Sequence, residues 1–278
     1  MKRFCLIVIA LLIGLAMQAS AQAPDVLWEK EYDNFLASDF VIMNNGYVIL
    51  GYDGRLIAND LYGDTLWTRQ LNFFNQNDQP CSYGHDILQT NDNGYAFMAY
   101  CSVANRSFLI KTNSDWDTLW TKRIDDFLGK SIQHTIDGGY VIAGNILGLS
   151  GATVIYTDSL GNVLSRKTFG LNTYDYLSSV KLVSDGGHIF VGSRRPFNSY
   201  CAWLIKTDIN GDTLWTKTFD YGIGSRGRNV IQTSDMGYAI IGTLNFFHVG
   251  LIKTDSHGDT LWTKIQDIKK KTKKSKQF

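Results

Sequence analysis

The chain has 278 residues, 44% of them hydrophobic, with 26 glycines, three prolines and a net charge of +1. That apolar share is enough for a folded core of one or two ordinary domains. The charge is unevenly spread: Lys2 and Arg3 open the chain and six lysines crowd residues 269–276, so the body keeps 19 basic against 26 acidic residues, which argues against nucleic acid as a partner.

In chain order, residues 1–21 come first. Lys2 and Arg3 precede an apolar run from Phe4 to Met17 and the small residues Ala19-Ser20-Ala21. This is the order of a secretory signal, and the run is short for a membrane span. The expected product therefore starts near Gln22 and is secreted or held at the cell surface, the alternative being an uncleaved anchor. Cys5 lies far from the cleavage site, and no later run has spanning length.

Residues 25–30 read "DVLWEK", and the phrase returns as "DTLWTR" at 64–69, "DTLWTK" at 117–122, "NVLSRK" at 162–167 and "DTLWTK" at 212–217 and 259–264. Each return closes a longer unit, the five units spanning about 34–70, 82–124, 128–169, 175–219 and 225–268. The first halves run "IMNNGYVILG", "QTNDNGYAFMA", "HTIDGGYVIAG", "LVSDGGHIFVG" and "QTSDMGYAIIG". Tyr47, Tyr95, Tyr140, His188 and Tyr238 hold equivalent positions, 48, 45, 48 and 50 residues apart. A period of that size marks stacked supersecondary units. Segments between turn signals are four to seven residues long and rich in β-branched and aromatic residues, which selects strands over helices.

Each unit parses as four strands. An Asp-Gly-Gly type turn joins strands one and two, a loop of changing length joins two and three, and an Asp-x-x-Gly-Asp turn joins three and four. Phrases such as "YVIAG" are apolar on both faces, as a sheet sandwiched between neighbouring sheets requires. The expected fold is all-β: a β-propeller of four-stranded antiparallel meander blades, five complete, with an orphan N-terminal strand at 25–30. Trp28, Trp67, Trp120, Trp215 and Trp262 recur in strand four as blade-to-blade packing residues, and Ser165 takes that place in the third unit, where a weaker contact is expected.

The spacing "TD-x-x-GD-x-LW" resembles the tryptophan-docking repeat of pyrroloquinoline-quinone-like propellers, in which an Asp, a Gly and a Trp join adjacent blades. The whole unit, "DGGY-x-x-x-G" then "LIKTD-x-x-GDTLW", is similar to repeats of secreted bacterial propellers, many of which carry a C-terminal secretion-sorting domain. The likeness spans nearly the whole chain after residue 21 and implies architecture, not activity.

The orphan strand calls for strands one to three of a sixth blade, which the sequence does not contain after Lys264. Two readings stand: a shortened form of a ring of six or more blades, or a five-bladed ring with a spare strand. The Lys-rich segment 269–278 is expected to be a disordered tail.

Catalytic signatures are absent from the sequence: no Gly-x-Ser-x-Gly elbow, phosphate loop or dinucleotide fingerprint appears, and the carboxylates sit at equivalent turn positions. No catalytic residue, metal ligand or cofactor is assigned. "DINGD" at 208–212 has the oxygens of a calcium loop, but its sister turns vary and a plain hairpin turn explains them all. Among five histidines only His248 is assigned to a site. Cys81 and Cys101 flank one hairpin and are expected to form a disulfide, leaving Cys201 a buried free thiol.

In a meander blade the 1–2 and 3–4 turns share one rim, and the 2–3 loops and blade connections share the other. The second set varies, and variable loops on a rigid frame carry recognition. Their candidate binding residues are Phe73, Phe74, Tyr83, Tyr174, Tyr176, Arg194, Arg195, Phe197, Tyr200, Tyr221, Arg226, Arg228, Phe246, Phe247 and His248, with packing beneath their own loops as the structural alternative. Aromatic and arginine side chains suit protein interfaces, and aromatic faces suit sugars. The expected function is a secreted, non-catalytic scaffold binding a protein or glycan. The rivals are a propeller enzyme, quinoprotein-like or a glycan-active hydrolase or lyase, and a structural repeat of the cell envelope.

Overall fold

The computed structural model describes residues 30–71, 83–102, 105–146, 151–170, 174–196, 199–222, 224–245 and 248–267, and their regular structure is entirely strand. Trp28, Cys81, Phe73, Phe74, Phe197, Phe246, Phe247, most of the orphan strand and the segment 268–278 lie outside them, as does the side chain of Tyr83. The first sheet is β1 (Ala37–Met43), β2 (Gly46–Gly51), β3 (Arg55–Asp60) and β4 (Thr65–Gln70). The second is β5 (Tyr83–Gln89), β6 (Tyr95–Cys101), β7 (Arg106–Thr112) and β8 (Thr118–Asp125). The third is β9 (Phe127–His134), β10 (Tyr140–Ile146), β11 (Ala152–Thr157) and β12 (Val163–Phe169). The fourth is β13 (Tyr176–Leu182), β14 (His188–Arg194), β15 (Cys201–Thr207) and β16 (Thr213–Phe219), and the fifth β17 (Arg226–Gln232), β18 (Tyr238–Leu244), β19 (His248–Thr254) and β20 (Thr260–Asp267). Every sheet pairs in sequence order, antiparallel throughout, so each repeat unit is one blade. The strands β1, β5, β9, β13 and β17 pack on one another in succession and line the common axis.

The turns explain why one short phrase recurs. In each 3–4 turn the first residue accepts two backbone N–H groups through its side-chain oxygen. Asp208 Oδ1 takes those of Asn210 and Asp212 at 2.9 and 2.8 Å, and Asp60, Asn113, Asp158 and Asp255 do the same. These oxygens are spent on the hairpin. The fourth residue of the turn has positive φ: Gly211 stands at 77° and Gly258 at 79°. In the second blade Trp116 holds this place at φ 68°, and its ring stacks on Tyr95 at 3.7 Å between centroids.

The 1–2 turns are locked differently. Lys206, whose side chain is almost fully buried, donates to both oxygens of Asp185 at 3.0 and 2.8 Å and to the carbonyl of Thr207 at 2.8 Å. Lys111 with Asp92 and Lys253 with Asp235 repeat the arrangement.

The strand-four residues stitch each blade to the next. Arg69 reaches Asp117 at 2.9 Å, Lys122 reaches Asn162 at 2.8 Å, Lys167 reaches Asp212 at 2.7 Å and Lys217 reaches Asp259 at 2.5 Å. These are exposed pairs, each contributing at most about 1 kcal/mol, so they set register more than stability. The indoles contribute more. Trp120 meets Tyr140 edge-on at 6.2 Å and Trp215 meets Tyr238 at 5.8 Å. A Cβ on Gly161 or Gly258 would come within 3 Å of those indoles, which is why a glycine faces them. The rings are half-buried.

At the third seam the place of Ser165 is served by another residue: Tyr156, at the position held by Lys111 and Lys206 in sister blades, lies in the seat, and a Cβ on Gly211 would lie 2.4 Å from its hydroxyl oxygen. His188 replaces the usual Tyr opposite it and meets Tyr156 edge-on at 6.2 Å. Three departures from the repeat thus meet at a single seam. The expectation that Trp262 packs between blades needs correction: it is 42% exposed, and among the described residues no following blade lies against it.

Candidate functional site

Each inner strand carries one extra residue near its start. Register breaks between Ala37 and Asp39, Gly84 and Asp86, Leu177 and Ser179, Gly227 and Asn229, and opposite Ala143 and Gly144 in β9. The bulged residues are Ser38, His85, Lys130, Ser178 and Arg228, and bulges of this kind re-aim side chains. The next residues form a polar belt round the axis. Asp39 accepts the Ile87 N–H at 3.0 Å, Asp86 that of Ile132 at 2.7 Å and Ser131 that of Val180 at 3.2 Å, while the Ser179 hydroxyl donates to Asn229 at 2.8 Å. Burial, reinforced by the neighbouring Asp86, holds the Asp39 carboxyl well above the usual range. Burial takes the His85 imidazole down to about 4, with Lys130 adding to it. Lys130 is lowered by its own burial and by Arg228, which stands at the equivalent bulge two blades away.

The densest cluster on that rim is built by the fourth and fifth blades. Two guanidinium groups approach the Tyr200 ring, Arg226 at 4.5 Å and Arg195 at 5.6 Å from its centroid. Arg195 also lies 4.6 Å from the ring of Tyr174, and Arg194 sits 5.0 Å over Trp203. Tyr174 and Tyr176 both meet Tyr200 edge-on, at 6.5 and 6.3 Å. Asp175, buried beneath, accepts the Arg195 N–H at 3.1 Å and fixes the loop. Around this cluster the Ser193 and Ser199 hydroxyls, the Arg194 Nε–H and the Trp203 Nε1–H are buried without an acceptor.

Six residues named from the sequence therefore converge: Tyr174, Tyr176, Arg194, Arg195, Tyr200 and Arg226. Three others stand apart. Tyr221 bonds Thr263 of β20 at 2.5 Å and packs in the seam between blades, and the His248 Nδ1 is 3.1 Å from the Asn245 carbonyl, holding its own loop. Arg228 is the bulged residue of β17, equivalent to Lys130 of β9 and His85 of β5. The sequence reading missed Trp203, Ser193, Ser199 and Lys130, because Trp203 and Lys130 lie inside strands and the serines have no distinguishing spacing. Cys101 is disulfide-bonded and Cys201 is a buried free thiol.

No family model matches this chain, and no curated protein does. Among solved structures, the propeller of Dos1 superposes with a TM-score of 0.58 at 15% identity, covering 88% of this chain and 61% of that one. The WD40 β-propeller domain of Doa1 gives 0.56 at 14% identity over 86% of this chain and 71% of that one. BamB from Moraxella catarrhalis gives 0.47 at 14% identity, over 84% and 63%. The chain thus spans less than two thirds of the Dos1 and BamB chains. With the sheet order above, the first two likenesses define the class: a β-propeller of four-stranded blades. At such identities they define the fold alone.

Proposed function

We propose that the chain is an exported, non-catalytic propeller scaffold that binds an acidic partner protein on the variable rim of its fourth and fifth blades. One observation carries the reading: buried donors without acceptors gather at residues 193–203, beside three arginines and three tyrosines. Unsatisfied buried donors cost free energy that an incoming acceptor returns, and guanidinium forks favour carboxylates. A glycan is the second reading, favoured by the exposed ring of Tyr174; the arginines near Tyr200 disfavour stacking a sugar there.

The test is a binding screen of acidic and neutral surface proteins and glycans against the wild type, Arg194→Ala/Arg195→Ala and Arg226→Ala. Loss of a charge-assisted bond predicts roughly 10- to 100-fold weaker binding in each variant. Unchanged affinity moves the site elsewhere, and retention of a neutral glycan alone favours the second reading. Export predicts a mature N-terminus near Gln22, and N-terminal sequencing of the product made in an exporting host checks it.

A further inference from the structure

The inner seams of the propeller repeat one design, and the outer face of the fifth blade displays half of it uncovered. On the side of β14 that meets the fifth blade, Val191 is fully buried; Leu50, Met98 and Ala143 in the other blades are at most 1% exposed. The equivalent residue of the fifth blade, Ile241, is 47% exposed. On strand three, Leu56, Leu109, Val154 and Leu204 are at 0%, while Leu251 is 37% exposed. Val249, whose counterparts Ala152 and Ala202 are buried, stands at 43%, and the Trp262 indole at 42%. Lys264 occupies the position of Arg69, Lys122, Lys167 and Lys217, yet meets no carboxylate among the described residues and lies 5.5 Å over Trp262.

We propose that this face is a docking surface for a further four-stranded unit of the same repeat, supplied by polypeptide outside these 278 residues. The internal seams state what the occupant must carry. It needs an aromatic residue at the start of strand two to meet Trp262. Its 3–4 turn needs a small residue to seat the indole, and an Asp or Asn one position later to accept Lys264. Continuity with four existing interfaces carries the choice. The greater length of the matched Dos1 and Doa1 chains is consistent with it.

A second copy of this chain is a poorer occupant. The incoming face of the first blade, which such a copy would have to use, has its turn carboxylate Asp64 already at 3.8 Å from Lys30, in the place a preceding blade's strand-four lysine would take. Copies joined fifth blade to first would also run head to tail, which yields filaments unless the rotation closes.

The experiment titrates the full chain with a polypeptide of residues 220–267, which carries Tyr238, Gly258 and Asp259. Binding is read by fluorotryptophan NMR, the Trp262 resonance being assigned by its loss in Trp262→Phe. The expected result is a saturable shift of Trp262, weakened at least tenfold by Lys264→Glu and abolished by Ile241→Asp/Leu251→Asp. Because the free unit can fail to fold, a second arm appends residues 220–267 after Asp267. Trp262 then loses its access to acrylamide and Tm rises. Trp262 remaining as accessible in the extended chain as in the original overturns the proposal. So does concentration-dependent dimerisation of the unmodified chain that Lys264→Glu abolishes, since that makes a second copy the occupant.

Discussion

At the residue scale, the lysine of "LIKT" is the informative case, because an ammonium is placed where a blade is almost dry. Burial of Asp92 works against its charge, but the Lys111 ammonium, the Thr90 hydroxyl and the Gly94 N–H outweigh it and take the carboxyl down to about 2. A folded-state pKa below the ordinary 3.8 means that the carboxylate stabilises the fold fully above about pH 4 and loses that contribution as pH falls toward 2. Asp185 and Asp235 shift the same way, Asp185 against burial and through Lys206, Asp235 chiefly through Lys253. Lys111→Met is expected to return the Asp92 midpoint toward 3.8 and to flatten that share of acid sensitivity, read by NMR titration. An unmoved midpoint would show that the turn alone depresses it.

The seam between the third and fourth blades gives a second residue-scale prediction. Tyr156, whose phenol burial pushes up to about 12, already occupies the seat under Gly211. Ser165→Trp therefore overfills it and costs about 1 to 3 kcal/mol, although it restores the repeat consensus. The triple change Ser165→Trp/Tyr156→Lys/His188→Tyr copies the sister seams and is expected to recover most of that loss in urea unfolding. Equal stability of Ser165→Trp and wild type would mean the seat is empty.

At the scale of the element, the hairpin Asp-x-x-Gly-Asp serves two purposes at once. Its first carboxylate organises the turn, and its glycine, at positive φ and against a neighbouring indole, accepts the preceding blade. Gly258→Ala adds a Cβ into contact with Trp215 in a conformation alanine disfavours, so a loss of about 1 to 3 kcal/mol is expected by thermal unfolding. The repeat was readable because every unit spells the same turn and the same strand four. What was not readable is how one seam dispenses with its tryptophan: Tyr156 and His188 lie in different units, and only the stacking of blades brings them together. The loop cluster was half legible for a similar reason. Tyr and Arg stood out in variable segments, whereas Trp203 reads as one more apolar strand residue until its Nε1–H is found without an acceptor.

For the whole molecule, burial grades from seam to surface in one direction. Each blade presents strand-four residues to its successor, and the gradient ends at Trp262, Lys264, Ile241 and Leu251, which face solvent. Three features lie apart from one another. A polar belt links the inner strands of successive blades, the variable rim of the fourth and fifth blades offers donors and cations, and the outer face of the fifth blade leaves Trp262, Ile241 and Leu251 exposed. A partner on the rim and a further unit on the face would bind independently, since their residues do not overlap.

The most direct test is a tryptophan truncation series in urea: Trp120→Ala, Trp215→Ala and Trp262→Ala. If indoles join consecutive blades, the first two lose about 2 to 3 kcal/mol each, as half-buried rings removed from a packed seam, while Trp262→Ala changes stability by no more than about 0.5 kcal/mol. Equal losses at all three positions would contradict blade-to-blade docking as the reason the phrase recurs.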